Sequence, residues 1–306
     1  MKPFLIKALL FGAAFFLFDK LFFVFEYYSP GTEVDKRLEF LINGQLNKDI
    51  FVIGSSRGAR DIIAEEVGTA TGQSVYNLSY PGSNVEFHEF VLRTLVKFNS
   101  KPKTVLLVVD EPSELSPEES IKFRLDRLYP LVKYEYINKE LIDRGEKKAI
   151  LSRLFVLNQI NKSNFDLRKK RFNPLDTIFA CGSMPVSFRN ESKKWEFSHD
   201  TLSYPIEGEL PAKLKAFNKI LDICKSNHIN LVLVFPPNST KHSKLFENRL
   251  SILAGAHVYR YMYDTTNEIY KNKVFYYDES HLTRQGASIF TREISTFING
   301  QDALKK

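Results

Sequence analysis

The chain has 306 residues, with 43 Lys+Arg against 36 Asp+Glu, 43% hydrophobic residues, 13 Pro, 14 Gly and two Cys. That length suits one large domain or two small ones with a full apolar core, and the balance excludes disorder, collagen-like repetition and a disulfide-stapled mini-fold. Cys181 and Cys224 have neither zinc spacing nor a disulfide framework, so they do not report the redox compartment.

The first element is apolar. From Phe4 to Phe25 the sequence runs FLIKALLFGAAFFLFDKLFFVF, 22 positions that extend about 33 Å as a helix, enough to cross a hydrocarbon core. Lys2 and Lys7 lie at its start and Glu26 is the first charge after it, so the positive-inside bias predicts a cytoplasmic N-terminus and an exported chain after about Tyr28. The bulky Phe25-Glu26-Tyr27-Tyr28 that follows is no small-x-small cleavage site, which favours a signal anchor over residues 1–28 against a cleaved leader. Asp19 and Lys20 interrupt the span. Lys20 can snorkel, whereas Asp19 either sits shallow near the headgroups or marks a contact with a partner membrane protein.

Residues 29–48 read as a polar connector containing a short amphipathic helix (Val34, Leu38, Leu41, Ile42). Five short apolar runs bounded by turn residues then predict strands: Ile50–Ile53, Val75–Leu78, Val105–Val109, Leu231–Phe235 and Val274–Tyr277. Most are unalternating and rich in β-branched or aromatic residues, as strands covered on both faces tend to be. Helical periods predict helices over 85–98, over 211–227 with Pro211 in the first turn, and over about 283–298. Cys224 falls in register with Leu214, Phe217 and Leu221 and reads as a buried small hydrophobe. This alternation predicts a three-layer, doubly wound α/β domain over 49–306, with a mostly parallel, five-stranded, flavodoxin-like sheet and its site at the carboxyl ends of the strands.

The stretch from about 117 to 207 breaks the rhythm. It is too long for an ordinary connection and predicts an inserted helical subdomain or lid. Residues 121–200 hold 17 Lys+Arg and 10 Asp+Glu, the whole positive excess of the chain, with the densest run at Arg168-Lys169-Lys170-Arg171. Such a surface suits acidic partners, anionic glycans or lipid headgroups among them. No aromatic-basic repeat or nucleic-acid-binding motif surrounds it, so nucleic acid is not an expected partner.

Three loops carry the candidate chemistry. The first strand runs into Gly54-Ser55-Ser56-Arg57-Gly58-Ala59-Arg60, where a hydroxyl at a helix start is placed as an exposed nucleophile and the free N–H groups there stabilise an oxyanion. Ordinary N-capping is the alternative use of such serines. After the second strand, Asn77-Leu78-Ser79-Tyr80-Pro81-Gly82-Ser83-Asn84 offers a Gly82 N–H and an Asn84 amide to a developing oxyanion, or merely a turn and a helix cap. Near the C-terminus, Tyr277-Asp278-Glu279-Ser280-His281-Leu282 places an Asp three residues before a His, so the carboxylate can turn back onto the imidazole, fix its tautomer and leave the other nitrogen to a serine. Arg57 and Tyr80 are the candidate substrate-binding side chains. His88, His199, His228, His242 and His257 lack metal spacing and read as surface or satisfied positions; neither a metal nor a cofactor is expected.

In this order, the three blocks resemble the SGNH/GDSL hydrolase superfamily over about 49–110 and 229–299. Ile53-Gly54-Ser55-Ser56 stands where that family carries its nucleophile block, which implies Ser56 as nucleophile. Gly82 corresponds to the second-block glycine, and Asp278, His281, Leu282, Gly286 and Ala287 match the terminal block. With an N-terminal anchor, the chain looks most like the membrane-tethered branch that includes accessory proteins of cell-wall D-alanylation and exopolysaccharide O-acetylation. The resemblance implies a Ser56–His281–Asp278 serine esterase or O-acyltransferase, extracytoplasmic (periplasmic or at the cell surface), acting on an acylated envelope polysaccharide or other ester, with a multi-span acyltransferase as a possible partner. One block departs from the family: its Gly-x-Asn is replaced by Val109-Asp110-Glu111-Pro112-Ser113-Glu114, and carboxylates cannot donate to an oxyanion. Asn84, Arg57 or the Ser56 N–H must then compensate, or activity is low, while Asp110 and Glu111 orient Arg57 or Arg60 or start the following helix. Two rival readings remain, a catalytically inactive envelope assembly module of the same fold and a phosphate cradle built on Ser55, Ser56, Arg57 and Arg60.

Overall fold

The interior strands form where the chain has no wet face. The computed structural model describes residues 1–168, 170, 174–190, 192 and 194–303, so Lys169 and Arg171 of the basic run lie outside the described residues. Three helices precede the sheet, α1 (Lys2–Leu21), α2 (Phe23–Thr32) and α3 (Arg37–Ile42). The sheet region opens with β1 (Ile50–Ile53), α4 (Ser56–Asp61), α5 (Ala64–Thr71), β2 (Val75–Asn77), α6 (Val85–Phe98) and β3 (Thr104–Val108). After α7 (Leu125–Leu128), α8 (Glu135–Asp143) and α9 (Ala149–Leu154) come α10 (Pro211–Ser226), β4 (Asn230–Phe235), α11 (Lys244–Ala254), β5 (Tyr259–Met262) and α12 (Arg284–Ala303).

The chain divides into two compact units. One comprises Phe40–Phe123 with Asn173–Lys306 and contains the sheet. All five strands are parallel, in the order β2-β1-β3-β4-β5, with Ile50 opposite both Val75 and Thr104. The chain steps from β1 to β2 on one side and returns to β3 on the other, which opens a crevice at the carboxyl ends of β1 and β3. Every residue of β1 and β3 is buried, as their unbroken apolar runs require. Ile50, Val52, Leu106, Val108, Val232 and Val234 share a core with Ala287, Phe290, Ile294 and Ile298 of α12, while α6 packs against α10. Cys224 is buried in α10, and burial pushes its thiol up to about 12.

The last strand differs from the expectation. Val274–Tyr277 is not in the sheet: Lys273–Phe275 is a 3-10 turn, capped by the Asn272 side chain accepting from Val274 N at 3.0 Å, and Tyr276 makes an isolated antiparallel bridge to Leu282. The fifth strand is Tyr259-Arg260-Tyr261-Met262 at the sheet edge. Its residues are half-buried or exposed, so it lacks the continuous apolar signal of the interior strands.

The other unit comprises Met1–Glu39 and Arg124–Phe172. Its N-terminal helical stretch, Lys2–Thr32, is long and apolar enough to cross a membrane. Asp19 is fully buried and satisfied within the chain: its two carboxyl oxygens accept from Val156 N (2.8 Å) and Leu157 N (3.0 Å). The positive excess is confined to this unit, since residues 124–172 hold 13 Lys+Arg against 6 Asp+Glu and residues 1–39 hold five of each. The rest of the long stretch after the third strand, from Asn173 onward, goes with the sheet.

Candidate active site

The turn that carries Ser56 is set by a close backbone approach. A Cβ on Gly54 would lie 2.9 Å from both the carbonyl oxygen and the Cβ of Val108, so only glycine lets the end of β1 lie so near β3. Ser55 follows as the N-cap of α4, and its hydroxyl donates to Asp110 Oδ1 at 2.7 Å, tying the turn to the end of β3. Ser56 is then the first residue of α4, where backbone N–H groups have no partner inside the helix. The far end of the helix is closed by Asn77 Nδ2, which donates to Gly58 O (2.8 Å) and Ile62 O (3.1 Å), and by Ser183 Oγ, which donates to Ile62 O at 2.9 Å.

The histidine loop is fixed by one carboxylate. Asp278 Oδ1 accepts from Ser280 N (3.0 Å), His281 N (3.0 Å) and His281 Nδ1 (2.8 Å), and the His281 carbonyl accepts from Tyr277 N at 2.8 Å. With Nδ1 donating to Asp278, His281 Nε2 is left to accept from Ser56 Oγ, 2.7 Å away. Two residues separated by 225 positions thus meet within hydrogen-bond reach. Helix α4 is tied to this loop at both ends, because its last residue, Asp61, accepts from Leu282 N at 2.9 Å.

Burial opposes an imidazolium and sets the His281 pKa below the usual imidazole value, with Arg60 and Arg57 reinforcing the shift and Asp278 opposing it. The ring is therefore neutral and basic at neutral pH. Any activity that uses it falls as pH drops through a midpoint below about 6.5, the ordinary histidine value. Asp110 titrates nearby, since burial and then the neighbouring Glu114 carboxylate raise it to about 6. A pH–rate profile of Asp110→Asn separates the two: the acid limb is expected to persist with its midpoint unchanged, and its disappearance would assign it to Asp110.

Asp61 is fully buried, and burial raises its carboxyl well above the ordinary aspartate value. Its folded pKa exceeds its unfolded one, so the associated stability is full at low pH and is lost as pH rises from about 3.9 towards the folded pKa. Asp61→Asn keeps the acceptor for Leu282 N and removes the charge, so stability should hold and this pH dependence should vanish. Asp61→Ala leaves that N–H unpartnered and is expected to cost about 1–3 kcal/mol. Urea unfolding of both variants between pH 4 and 8 checks the pair; equal losses in Asn and Ala would contradict the assignment.

Ser56, Arg57, Gly82, Asp278 and His281 all line one cavity of about 440 Å³. Arg57 is held there by Pro236 O (2.5 Å) and Pro237 O (3.2 Å). Gly82 adopts a φ of 72° and accepts from Lys122 N at 2.9 Å. The two other expected site residues are elsewhere. Asn84 caps α6, with Oδ1 accepting from Phe87 N (3.2 Å) and Nδ2 donating to Glu86 (3.3 Å), and does not line the cavity. Tyr80 is core: 1% exposed, it packs edge-on to Phe87 with ring centroids 5.2 Å apart. Helix capping and aromatic packing claimed these side chains first.

Asp110 holds Ser55 rather than an arginine, and Glu111 accepts from His242 Nδ1 at 2.9 Å. Burial works against the His242 cation, but the Glu111 and Glu247 carboxylates prevail and raise its pKa. Sequence reasoning missed Asn238, Ser239 and Thr240, which follow β4 after Pro236 and Pro237 and line the cavity. Asn238 is the one side-chain amide among the described lining residues. Its Oδ1 accepts from Thr240 N and Thr240 Oγ, both at 2.8 Å, so its Nδ2 is the end left to donate. The same three residues also border a second cavity of about 680 Å³, walled by Phe197, Met262, Tyr263 and Tyr270. Among the described residues no group of three or more His, Cys, Asp or Glu side chains is arranged to hold a metal ion. No protein-family model matches the chain, and no curated protein does.

Proposed function

We propose that the chain is a membrane-anchored serine esterase or O-acyltransferase of the SGNH/GDSL type, acting outside the cytoplasm on acyl esters of an envelope glycan or polymer. The observation that carries this reading is Ser56 Oγ lying 2.7 Å from His281 Nε2 while Nδ1 of the same ring meets Asp278 at 2.8 Å. In the first step Ser56 Oγ attacks the ester carbonyl as its proton passes to Nε2, and Asp278 stabilises the imidazolium. The tetrahedral intermediate collapses when His281 returns that proton to the departing alkoxide, leaving an acyl-serine. Water or a glycan hydroxyl then attacks, giving up its proton to His281, which passes it back to Ser56 as the ester breaks.

The oxyanion requires donors that Asp110 cannot supply, since its carboxylate already accepts from Ser55. The Ser56 and Gly82 N–H groups and Nδ2 of Asn238 fill that role in this reading, Asn238 standing where the resembling family uses an asparagine after the preceding strand. Asn238→Ala is expected to lower kcat by about 10²–10³-fold with little change in KM, which steady-state kinetics on an aryl ester checks. The helical stretch Lys2–Thr32 supports the anchor, and Lys2 and Lys7 at its start support a cytoplasmic N-terminus. Glu118, Ser120, Ile121 and Leu202 bring the long insertion to the cavity wall, which supports a lid-like role for its sheet-side part.

A fluorophosphonate tests the reading on intact protein. One phosphonyl adduct on the Ser56 peptide, lost in Ser56→Ala and in His281→Ala, is expected. Folded wild-type chain that never forms the adduct would overturn this reading in favour of the inactive assembly module or the phosphate cradle.

A further inference from the structure

Helix α9 and the 3-10 turn Val156–Asn158 that follows it expose Ile150 (74%), Leu151, Leu154 (50%) and Leu157, and Phe165 and Leu167 are exposed further along the same unit. A row of large apolar side chains in water is unfavourable and marks a contact surface. The surface is continuous with the apolar helix of the same unit: Phe155 packs against Phe15 and Phe16, and Phe165 against Phe22 and Phe25, with ring centroids 4.9–6.2 Å apart. Polar links set the depth. Asp19 receives the N–H groups of Val156 and Leu157, and Lys20 Nζ donates to Leu154 O at 2.6 Å.

We infer that residues 149–167 form an interfacial element that dips into the outer leaflet beside α1, with the lipid bilayer as its partner. The inference rests on the membrane reading of α1 and adds a second membrane contact to it. Asp19 lies twelve helical positions beyond Lys7 and eight before Tyr27, about 18 and 12 Å along the axis, so the segment it holds docks in the outer half of the hydrocarbon layer. Backbone at that depth is tolerated only when its polar groups are satisfied. The break between α9 and the 3-10 turn meets that demand: Val156 N and Leu157 N go to Asp19, Leu154 O to Lys20, and Ser152 O to Gln159 Nε2 at 2.6 Å. Exposed Lys148 and Lys162 flank the apolar residues, and Arg153 between Leu151 and Leu154 has a stem long enough to snorkel, so all three suit anionic headgroups. Asp19 is then the internal acceptor that lets a broken helix enter lipid, neither a shallow accident nor a mark left for a second protein.

Tryptophan quenching tests this in the full chain. Trp195 is the single tryptophan, so Trp195→Phe gives a silent background. Phe11→Trp in α1, Ile150→Trp in α9 and Glu135→Trp on the polar surface of α8 are reconstituted separately into phosphatidylcholine–phosphatidylglycerol vesicles with acyl-brominated phosphatidylcholine. Tryptophan at 11 and at 150 should each lose fluorescence by about twofold or more, with little loss at 135. Quenching at 11 without quenching at 150 overturns the inference while α1 stays in the membrane. No quenching at 11 overturns the membrane reading and the inference together. Equal quenching at 135 and 150 also overturns it, because the whole unit would then lie on lipid without a dedicated element. Leu154→Trp repeats the measurement should Ile150→Trp fold poorly.

Discussion

Ser56→Ala and His281→Ala are each expected to reduce turnover of an aryl acetate by at least about 10⁴-fold, and the double variant should lose little more than either single one. In the proposed mechanism the two side chains act as one unit: the serine hydroxyl is a weak nucleophile until the imidazole 2.7 Å away takes its proton. Neither change should unfold the chain. Ser56 Oγ makes its described hydrogen bond to His281, and the turn that carries it is held independently by Ser55 on Asp110 and by the close packing of Gly54 on Val108. Steady-state kinetics with thermal melting measures both points. Additive losses in the double variant would mean that the two residues act separately.

Asp278→Asn is the second large effect, about 10⁴-fold in kcat with KM nearly unchanged. An asparagine at 278 can turn its Oδ1 to the N–H groups of Ser280 and His281 that the carboxylate now accepts, so the loop keeps its shape. The same Oδ1 meets His281 Nδ1; an amide turned to present Nδ2 to that nitrogen instead donates where the carboxylate accepts, drives the proton onto Nε2 and removes the lone pair that faces Ser56, and in either rotamer the charge that stabilises the imidazolium is gone. The charge also matters: Asp278 raises the His281 pKa against the burial that lowers it, so the residual activity of the asparagine variant should titrate at a lower pH than wild type. A loss under tenfold with an unmoved acid limb would show that Asp278 only shapes the loop.

The local parts of the site were legible because their chemistry is encoded in short spacings. Gly54-Ser55-Ser56 after an apolar run and Asp278 three residues before His281 each carry a local geometry; β1 sets the first at the crevice, and the Asp61–Leu282 hydrogen bond ties the second to α4. The interior strands and helix α6 were legible for the same reason, through unbroken burial and a strong helical period. Tyr80 and Asn84 misled because an aromatic and an amide beside a conspicuous glycine fit a pocket and a core equally well in sequence. Packing on Phe87 and capping of Phe87 N decided between these uses. Asn238 carried only a weak signal, a polar turn after two prolines. Its meaning depends on β4 lying beside β3, a long-range pairing that no local pattern states. Likewise β5 is half-buried or exposed at the sheet edge, while the more apolar Val274–Tyr277 buries only Tyr276 and Tyr277 and does not join the ladder. The partners of Asp19 lie 137 and 138 residues away, beyond the reach of any periodicity.

The most direct test of acyl transfer at Ser56 is to trap the intermediate. Wild-type chain mixed with an aryl acetate and quenched in acid within the first turnover should carry a single acetyl group on the peptide containing Ser56, in amounts matching the burst of released phenol. Phenol release without any acetyl on that peptide, or an equal acetyl yield in Ser56→Ala, would contradict the account.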